Sequence, residues 1–270
     1  MICFPNAKIN LGLNIISKRP DNYHNIETVF YPINLCDALE IVPAKDGKTT
    51  FTQTGIPIAG EPEKNLVMKA LNLLKTQFEI PEIDIYLRKN IPFGAGLGGG
   101  SSNAAFMLKL VNDFANLQLT TKQLEEYASQ IGADCAFFIQ NQPVFAEGIG
   151  NIFTPTEFSL KGYYLCLIKP DIHVSTQEAY AGIKPQQPSE SIPQIIQSPI
   201  NTWKNRLIND FEAGIFTQHP RIGEIKQQLY ELGAFYASMS GSGSSVFGIF
   251  EEEKTNKNLF SDCLEYWIQL

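Results

Sequence analysis

The chain has 270 residues, of which 44% are hydrophobic and 18% are charged, and its formal net charge is −7. This apolar content is sufficient for a folded core, so the composition excludes a disordered chain. The acidic balance and the lack of a Lys/Arg-rich run argue against nucleic acid as a partner.

The cysteines and the N-terminal sequence indicate the compartment. Five scattered cysteines without a Cys-x-x-Cys pair argue against a structural zinc site and favour reduced thiols. The sequence begins without the basic and apolar segments of a signal peptide, and no apolar run approaches the roughly 20 residues that span a bilayer. We therefore expect a cytoplasmic protein without a membrane partner, present as a monomer or weak homodimer.

The first part of the chain is predicted to form strands. Apolar residues at 9, 11, 13 and 15 alternate with polar or small residues, which is the period of a half-buried strand. A turn is predicted at residues 18–22 because Lys, Arg, Pro, Asp and Asn cluster there. Further strands are predicted at 28–31, 38–42 and 49–54.

The hydrophobic period changes after Asn65. An apolar stripe from Leu66 to Phe78 predicts a helix, and alternation returns in a strand at 83–87. A glycine-rich loop follows this strand, and helices are predicted beyond it at 102–115 and 121–131.

The second half mixes both element types. Strands are predicted at 144–146, 163–168, 235–239 and 245–250, helices at 203–215, 219–232 and 253–265, and a surface loop at 185–191. Strand blocks interrupted by helices, without regular βαβ alternation, indicate an α+β fold. A domain boundary is predicted near 150–160.

The loop from Pro92 to Asn103 reads PFGAGLGGGSSN and contains five glycines in seven residues. Glycines let a backbone approach a ligand closely and point several N–H groups in one direction. Ser101 or Ser102 then opens a helix, whose first N–H groups and partial positive charge suit an anion. The loop therefore predicts phosphate binding, with a flexible helix-capping loop as the alternative.

Three phosphate-binding motifs compete for this loop. Gly94-x-Gly96-x-x-Gly99 has the spacing of the dinucleotide fingerprint, but no strand ending in an acidic residue follows about 20 residues later. A P-loop would continue with Gly-Lys-Ser/Thr, whereas Gly100 and Ser101 follow Gly99. The His-Arg-Asp and Asp-Phe-Gly segments of protein kinases do not occur in the sequence.

Two charged residues and a neighbouring amide are candidates for catalysis or binding. Asp134 follows Gly132-Ala133, where a carboxylate either accepts a proton or caps a helix. Lys8 interrupts an apolar strand, so its ammonium either snorkels to solvent or faces a binding site. Asn10 shares a strand face with Lys8, or it is a turn or edge residue. The residues alone leave these alternatives open.

Three segments resemble the motifs of the GHMP kinase superfamily, which contains galactokinase, homoserine kinase, mevalonate kinase and phosphomevalonate kinase. They are residues 5–11 (PNAKINL), the loop at 92–105, and residues 240–244 (SGSGS), and they occur in the superfamily's order and spacing. The last segment departs from the usual Thr-Gly-x-Gly pattern, although Ser240 retains a hydroxyl. The resemblance extends over nearly the whole chain.

The resemblance implies a two-domain α+β fold like that of the GHMP kinases, with the active site in the cleft between the domains. The implied domains are an N-terminal ATP-binding domain at 1–155 and a C-terminal domain at 156–270. The implied cofactors are ATP and Mg²⁺, and no protein ligand for the metal is predicted.

Within the superfamily, the sequence is most similar to the branch that acts on a cytidine diphosphate-linked methylerythritol in the non-mevalonate isoprenoid pathway. The residues that carry this similarity are the run at 98–105 (GGGSSNAA), Asp21-x-Tyr23-His24 and Gly132-Ala133-Asp134. The implied reaction transfers the γ-phosphate of ATP to the 2-hydroxyl of that small molecule.

The resemblance also implies roles for individual residues. Asp134 is the implied base, and Lys8 is implied to keep that carboxylate ionised and to polarise the acceptor hydroxyl. Asn10 is an implied substrate contact.

The implied cytosine contacts lie in two segments. Tyr23 and His24 follow a turn, and Tyr180 resembles a second aromatic of the same site, with Thr176 beside it. The alternative for each tyrosine is ordinary packing.

The implied ATP contacts follow the glycine-rich loop. They are Pro92, Phe93, Gly94, Ala95, Gly96, Leu97, Gly98, Gly99, Gly100, Ser101 and Ser102. Asn65 and Leu66, at the start of a helix, are implied to lie near the adenine, and a plain N-cap is the alternative for Asn65.

Two other functions stay open. Another kinase of the superfamily, of the homoserine or mevalonate type, would have no use for Tyr23, His24 and Tyr180. A non-catalytic nucleotide-binding sensor of the same fold would have no need of Lys8 and Asp134.

Overall fold

The computed structural model describes residues 1–57, 61–254 and 260–270. Its strands are β1 (Ile2–Cys3), β2 (Asn6–Lys18), β3 (His24–Cys36), β4 (Ala38–Pro43), β5 (Thr50–Gly55), β6 (Ile83–Lys89), β7 (Val144–Glu147), β8 (Ile152–Pro155), β9 (Tyr164–Pro170), β10 (Tyr236–Met239), β11 (Val246–Phe250) and β12 (Cys263–Gln269). Its helices are α1 (Leu66–Lys75), α2 (Gly99–Phe114), α3 (Thr121–Ile131), α4 (Phe137–Gln140), α5 (Thr176–Tyr180), α6 (Ile192–Ile196), α7 (Phe211–Gln218) and α8 (Pro220–Glu231), with 3₁₀ turns at Pro62–Lys64 and Ile200–Thr202.

The strands of the described residues form three four-stranded sheets. The first has the order β1-β4-β6-β5, with β5 parallel to β6 and the other pairs antiparallel. The second has the order β2-β3-β7-β8, in which β7 is antiparallel to both of its neighbours. The third, β10-β11-β9-β12, is antiparallel throughout.

The chain folds into two compact units that are interleaved in sequence. The first unit contains residues 1–7, 35–93 and 98–142, and the second contains 8–34, 94–97 and 143–270. Each unit therefore draws on residues from more than one part of the chain.

The first unit packs α1 and α2 together, and α2 also contacts β4 of the first sheet. Alternate residues of β6, at 83, 85 and 87, are buried, as the period of a one-sided strand requires. Helix α1 buries the stripe Val67, Ala70, Leu71 and Leu74. Its first turn is capped by Asn65, whose Oδ1 accepts a hydrogen bond from Val67 N at 3.0 Å.

The second unit contains the other two sheets. Helix α8 packs on β9, β10 and β11 of the third sheet, and its buried residues Ile222, Ile225 and Leu229 join Ile168, Val246 and Phe250 in one apolar cluster. This burial stabilises the sheet on which the 240–244 turn is mounted.

Most predicted elements are confirmed. The strands predicted at 28–31, 38–42, 49–54 and 83–87 lie within or overlap β3, β4, β5 and β6, and the helix predicted at 121–131 coincides with α3. A capping box between Thr120 and Gln123 defines the start of α3.

Two helix predictions were wrong in part. The segment 203–210, predicted as helix, is a series of turns, and α7 begins only at Phe211. Its polar side chains bond to distant backbone, since Asp210 Oδ2 accepts a hydrogen bond from Ile15 N at 2.6 Å. The predicted helix at 253–265 partly lies outside the described residues, at 255–259, and its end is the start of β12, which pairs antiparallel with β9.

The strand β8 and the short helices α4, α5 and α6 were not predicted from the sequence. Each is four or five residues long, too short to show a hydrophobic period. Within the described part of the chain, no helix combines the length and the apolar character needed to cross a bilayer.

Candidate active site

The glycine-rich loop alternates between left-handed and ordinary backbone. Gly94, Gly96 and Gly98 have φ values of 60°, 73° and 68°, a region that strongly favours glycine. Alternating left-handed and right-handed helical backbone is typical of loops whose consecutive N–H groups bind anions. Helix α2 begins at Gly99, three residues before the predicted start at Ser102, so the N–H groups of Gly99 and Gly100 belong to its first turn.

Gly96 lies against the turn at 240–244 within the second unit. A Cβ added to Gly96 would lie 1.9 Å from the carbonyl oxygen of Ser240, so only glycine fits there. Ser240 Oγ donates a hydrogen bond to Gly96 O at 2.9 Å, and Ser245 N donates to Ala95 O at 3.3 Å. Residues 94–97 are therefore fixed to this turn.

Lys8 is buried in the same unit and does not snorkel to solvent. Its Nζ donates to Asn10 Oδ1 at 2.5 Å and to Gly96 O at 3.3 Å, and it lies 4.8 Å from the ring centroid of Phe30. Only 4% of the lysine is exposed. A cation–π contact and two carbonyl acceptors thus compensate for part of the desolvation of this ammonium.

Asn10 is also buried and lies within β2 rather than in a turn. Its Nδ2 donates to Thr28 Oγ1 at 3.0 Å, and its backbone N donates to Ser240 Oγ at 3.3 Å. Thr28 Oγ1 in turn donates to Gly12 O at 2.6 Å. The amide that accepts from Lys8 is therefore held in one orientation.

Asp134 belongs to the first unit, in the turn between α3 and α4. Helix α4 has Ala136 at its N-cap position, so Asp134 does not cap that helix. The neighbouring Cys135 is buried, and burial raises the pKa of its thiol to about 11 despite a hydrogen bond with Ser101. This cysteine stays protonated at neutral pH and does not act as a competing nucleophile.

A buried ionic cluster in the first unit holds the start of the glycine-rich loop. The carboxylate of Asp37 accepts hydrogen bonds from Asn90 N at 2.7 Å, Ile91 N at 2.9 Å and Asn103 Nδ2 at 2.8 Å, and it pairs with Lys89 Nζ. Lys89 Nζ also donates to Asn103 Oδ1 at 2.9 Å. Burial lowers the pKa of Lys89, and Asp37 opposes this shift.

The sequence did not predict the cluster of Asp37, Lys89 and Asn103. Asp37 and Lys89 are 52 positions apart, and neither residue type is typical of a fully buried position. The only local signal was Asn103, at the end of the serine-asparagine run of the loop.

A cavity of about 290 Å³ lies in the first unit beside α1 and α2. It is lined by Phe51, Gln53, Glu61, Pro62, Lys64, Asn65, Leu66, Phe93, Gly100 and Asn103. The structure thus brings four of the predicted ATP-binding residues to one cavity. Gln53 on β5 was not predicted, since nothing in its local sequence pattern indicates a ligand contact.

A second cavity, of about 500 Å³, lies in the second unit. It is lined by Asn22, Tyr23, His24, Ile149, Thr176, Gln177, Tyr180 and Ala181. All four residues predicted to contact the cytosine line it, although they come from two segments about 150 positions apart in the sequence.

Aromatic side chains build one wall of the second cavity. The rings of His24 and Tyr180 stack with centroids 4.7 Å apart at 17°, and Phe211 meets Tyr180 edge-on at 4.8 Å. Tyr23 is 61% exposed. Burial, together with the charge of Lys18, lowers the pKa of His24 below its ordinary 6.5. The cavity therefore presents a neutral imidazole and two phenol rings at neutral pH.

Comparison with known families identifies the class. Residues 65–148 match the family described as GHMP kinases N terminal domain, and residues 199–269 match GHMP kinases C terminal. The predicted α+β fold of the GHMP kinases is confirmed. The matched segments lie on either side of residue 155, and the domain division predicted there stays a prediction.

Curated relatives of the chain indicate which branch of the GHMP kinases it resembles most. A 4-diphosphocytidyl-2-C-methyl-D-erythritol kinase of Parabacteroides distasonis is 63% identical over 272 residues, covering 100% of both chains. A protein of the same name from Bacteroides fragilis is 62% identical over 273 residues, again covering 100% of both.

A solved structure supports the same branch of the GHMP kinases. The crystal structure of a 4-(cytidine 5'-diphospho)-2C-methyl-D-erythritol kinase superimposes with a TM-score of 0.76 at 29% identity, covering 92% of this chain and 90% of that one. The chain belongs to the 4-diphosphocytidyl-2-C-methyl-D-erythritol kinase family of the GHMP kinases.

Proposed function

We propose that this protein transfers the γ-phosphate of ATP to the 2-hydroxyl of 4-diphosphocytidyl-2-C-methyl-D-erythritol, a step in the non-mevalonate route to isoprenoid precursors. ATP as the phosphate donor follows from membership of the GHMP kinases. The observation that carries the choice of substrate is the cavity lined together by Tyr23, His24, Thr176 and Tyr180.

The chemistry of this cavity suits a pyrimidine base. Aromatic rings stack on the face of a base. A neutral imidazole supplies one donor and one acceptor, and the hydroxyl of Thr176 supplies another of each. Cytosine presents both an amino donor and carbonyl and ring-nitrogen acceptors on its edge, so these groups satisfy it without a charged partner.

The glycine-rich loop is proposed to bind the phosphates of ATP. Its left-handed glycines and the first turn of α2 present N–H groups to an anion. The first-unit cavity lined by Asn65, Leu66 and Phe93 is the proposed adenine site, because its walls combine apolar surface with amide groups.

The transfer step needs a base and a compensating cation. The acceptor oxygen forms a bond to the γ-phosphorus, the bond to the bridging oxygen of ADP breaks, and the hydroxyl proton passes to Asp134, the proposed base. Lys8 is the proposed cation. Its fixed ammonium would need little reorganisation as negative charge develops.

Magnesium is proposed as the second cofactor. Among the described residues, Ser102 Oγ is buried without a hydrogen-bond partner, and the same part of the chain contains no cluster of three or more acidic, His or Cys side chains suited to a metal. Both observations fit Mg²⁺ held mainly by phosphates and water, with the Ser102 hydroxyl beside it. When bound, the ion would neutralise charge on the phosphates.

A steady-state assay tests the proposed function. Purified protein is mixed with ATP, Mg²⁺ and 4-diphosphocytidyl-2-C-methyl-D-erythritol, ADP is followed by a coupled reaction, and the product is identified by ³¹P NMR. We expect stoichiometric ADP and a new phosphomonoester at the 2-position. Absence of ADP formation, or a phosphate on another position, would contradict the proposal.

A further inference from the structure

Asn209 lies two residues before helix α7 begins at Phe211, at the end of the turns that follow Trp203. It has no assigned role in the site described above, yet it is 97% buried, with 3% of its surface exposed. A buried amide requires hydrogen-bond partners for each of its polar atoms, and those of Asn209 lead to the proposed catalytic groups.

The side chain of Asn209 bonds to three backbone groups. Its Nδ2 donates to Met239 O at 2.9 Å and to Gly241 O at 2.8 Å, and its Oδ1 accepts from Phe211 N at 3.0 Å. Both donations are made to the residues that flank Ser240. Asn209 therefore fixes the backbone on either side of this serine.

Ser240 is linked to Lys8 through two residues that both of them contact, Gly96 and Asn10. Its hydroxyl donates to Gly96 O at 2.9 Å and accepts from Asn10 N at 3.3 Å. The same Gly96 carbonyl and the Asn10 side chain accept hydrogen bonds from Lys8 Nζ. Every group in this series belongs to the second compact unit.

A neighbouring acid supports the strand that enters the turn. Glu212 accepts from Met239 N at 2.8 Å and from Ser238 Oγ at 3.1 Å, and it pairs with Lys226 Nζ at 2.6 Å. Glu212 thus stabilises β10. The two hydrogen bonds from Asn209 instead fix the backbone at the end of β10 and in the turn that follows it. Asn209 is thus a side chain that holds the turn backbone on both sides of Ser240.

We infer that Asn209 is a positioning residue for phosphoryl transfer, acting through Ser240 on the Gly96 carbonyl and the ammonium of Lys8. This inference rests on the proposed function. A misplacement of about 1 Å in a catalytic group lowers a rate by as much as roughly 100-fold, so loosening the turn is expected to reduce kcat. Met239, Ser240 and Gly241 do not line the cavity of Tyr23 and His24, so KM for the cytidine-bearing substrate is expected to stay within about twofold when the bond to Phe211 N is kept.

The test variant is Asn209→Asp. It keeps the oxygen that accepts from Phe211 N and replaces the donor to Met239 O and Gly241 O with a second acceptor. We expect kcat to fall by on the order of tenfold, with KM for the cytidine-bearing substrate unchanged. The matched control is Asn141→Asp in the first unit, because Asn141 Nδ2 donates to Asn6 Oδ1 at 2.7 Å while its Oδ1 accepts from Asn6 Nδ2 at 3.2 Å.

The control variant undergoes the same chemical change without touching the turn. We expect it to lower Tm while keeping the wild-type kcat. A double-mutant cycle then distinguishes positioning from general destabilisation. If Asn209 acts through Ser240, Asn209→Asp has little further effect on kcat once Ser240→Ala is present.

Additive losses of kcat in the cycle, or a wild-type kcat in Asn209→Asp, would overturn the inference. If Asn209→Asp does not fold, Asn209→Ser takes its place in the same cycle, since it removes both donations without adding a charge. An inactive wild-type protein would instead contradict the proposed function, so the two failures are distinguishable.

Discussion

The ammonium of Lys8 contacts the Asn10 carbonyl oxygen, the Gly96 carbonyl oxygen and the Phe30 ring. These three contacts hold the buried ammonium in one position within the second unit. A fixed charge in a buried environment interacts more strongly than in water with charge that develops nearby. This arrangement suits the role proposed for Lys8 in phosphoryl transfer.

The proposed role of Asp134 as the base can be tested by a single substitution. Asp134→Asn removes the proton acceptor while keeping the size of the side chain, so kcat is expected to fall by about 10²–10⁴-fold. Calorimetric affinity for ATP is expected to stay within about threefold, because the proposed base is not a nucleotide contact. The control is Asp46→Asn on an exposed loop, which should leave kcat unchanged. Normal turnover in Asp134→Asn would exclude this residue as the base.

His24 provides a pH-dependent prediction. Burial and Lys18 lower its pKa below 6.5, so it stays neutral at neutral pH and titrates only in more acidic solution. As pH falls below 6.5, the unfolded chain takes up the proton first, so the stability contributed by the neutral imidazole declines in that range. Protonation also removes the acceptor nitrogen offered to the base.

Binding of cytidine diphosphate should also weaken as pH falls below 6.5. Calorimetry is expected to give a constant contribution of His24 between pH 8 and 6.5 and a weakening below it. The ligand's own phosphate also titrates, so His24→Gln serves as the reference, and the difference between the two titrations isolates the imidazole. Identical pH profiles for wild type and His24→Gln would show that this histidine does not contact the ligand.

At the scale of elements, the Asp37–Lys89 pair organises the entry to the glycine-rich loop. Both side chains are almost completely buried, at 0% and 2% exposure. Removing one partner of a buried ion pair leaves the other charge uncompensated, at a cost of about 3–5 kcal/mol. We expect Asp37→Asn to lower the free energy of unfolding by about that amount in urea denaturation.

The surface pair Arg206–Glu190 supplies the comparison for Asp37→Asn. Its side chains are 36% and 38% exposed, so Glu190→Gln should cost far less than Asp37→Asn. Equal effects of the two substitutions would mean that the Asp37 cluster does not stabilise the first unit.

The contact between the glycine-rich loop and the turn at 240–244 gives a second prediction about how elements fit together. Gly96→Ala introduces a Cβ that would lie 1.9 Å from Ser240 O, so residues 94–97 and the turn must separate. We expect a loss of stability well above the roughly 1–2 kcal/mol of the left-handed backbone alone, together with weaker ATP binding.

Gly162 is the matched control for this substitution. It also has positive φ, at 97°, but no atom of the described residues lies within 4 Å of an added Cβ. Gly162→Ala should therefore show only the backbone cost. If thermal denaturation and ATP titration gave equal results for the two variants, the close approach at Gly96 would not matter.

Local sequence patterns predicted those elements whose stability is local. Helix α3 has its own capping box and apolar stripe, and its predicted and observed bounds agree. The segment at 203–210 and strand β12 differ, because Asn209 and Asp210 bond to distant backbone and β12 exists only through pairing with β9. Such long-range partners are invisible to a window of a few residues.

For the whole molecule, the resemblance identified the fold and the family, whereas the residues alone reached only a phosphate-binding loop. The interleaving of two compact units, with residues 8–34 and 94–97 assigned to the second, depends on contacts distant in sequence. The Asp37 cluster and the contacts of Asn209 were missed for the same reason. The substrate assignment depended on Tyr23 and His24, which line one cavity with Tyr180.

The most direct test of the substrate assignment is a comparison of kcat/KM among acceptors. The protein is assayed under identical conditions with 4-diphosphocytidyl-2-C-methyl-D-erythritol, 2-C-methyl-D-erythritol 4-phosphate, homoserine and mevalonate. We expect kcat/KM for the cytidine-bearing acceptor to exceed the others by at least about 10³-fold, because unpaired groups of the cytosine cavity penalise an acceptor without the base. Equal or higher kcat/KM with an acceptor that lacks cytidine would contradict the assignment.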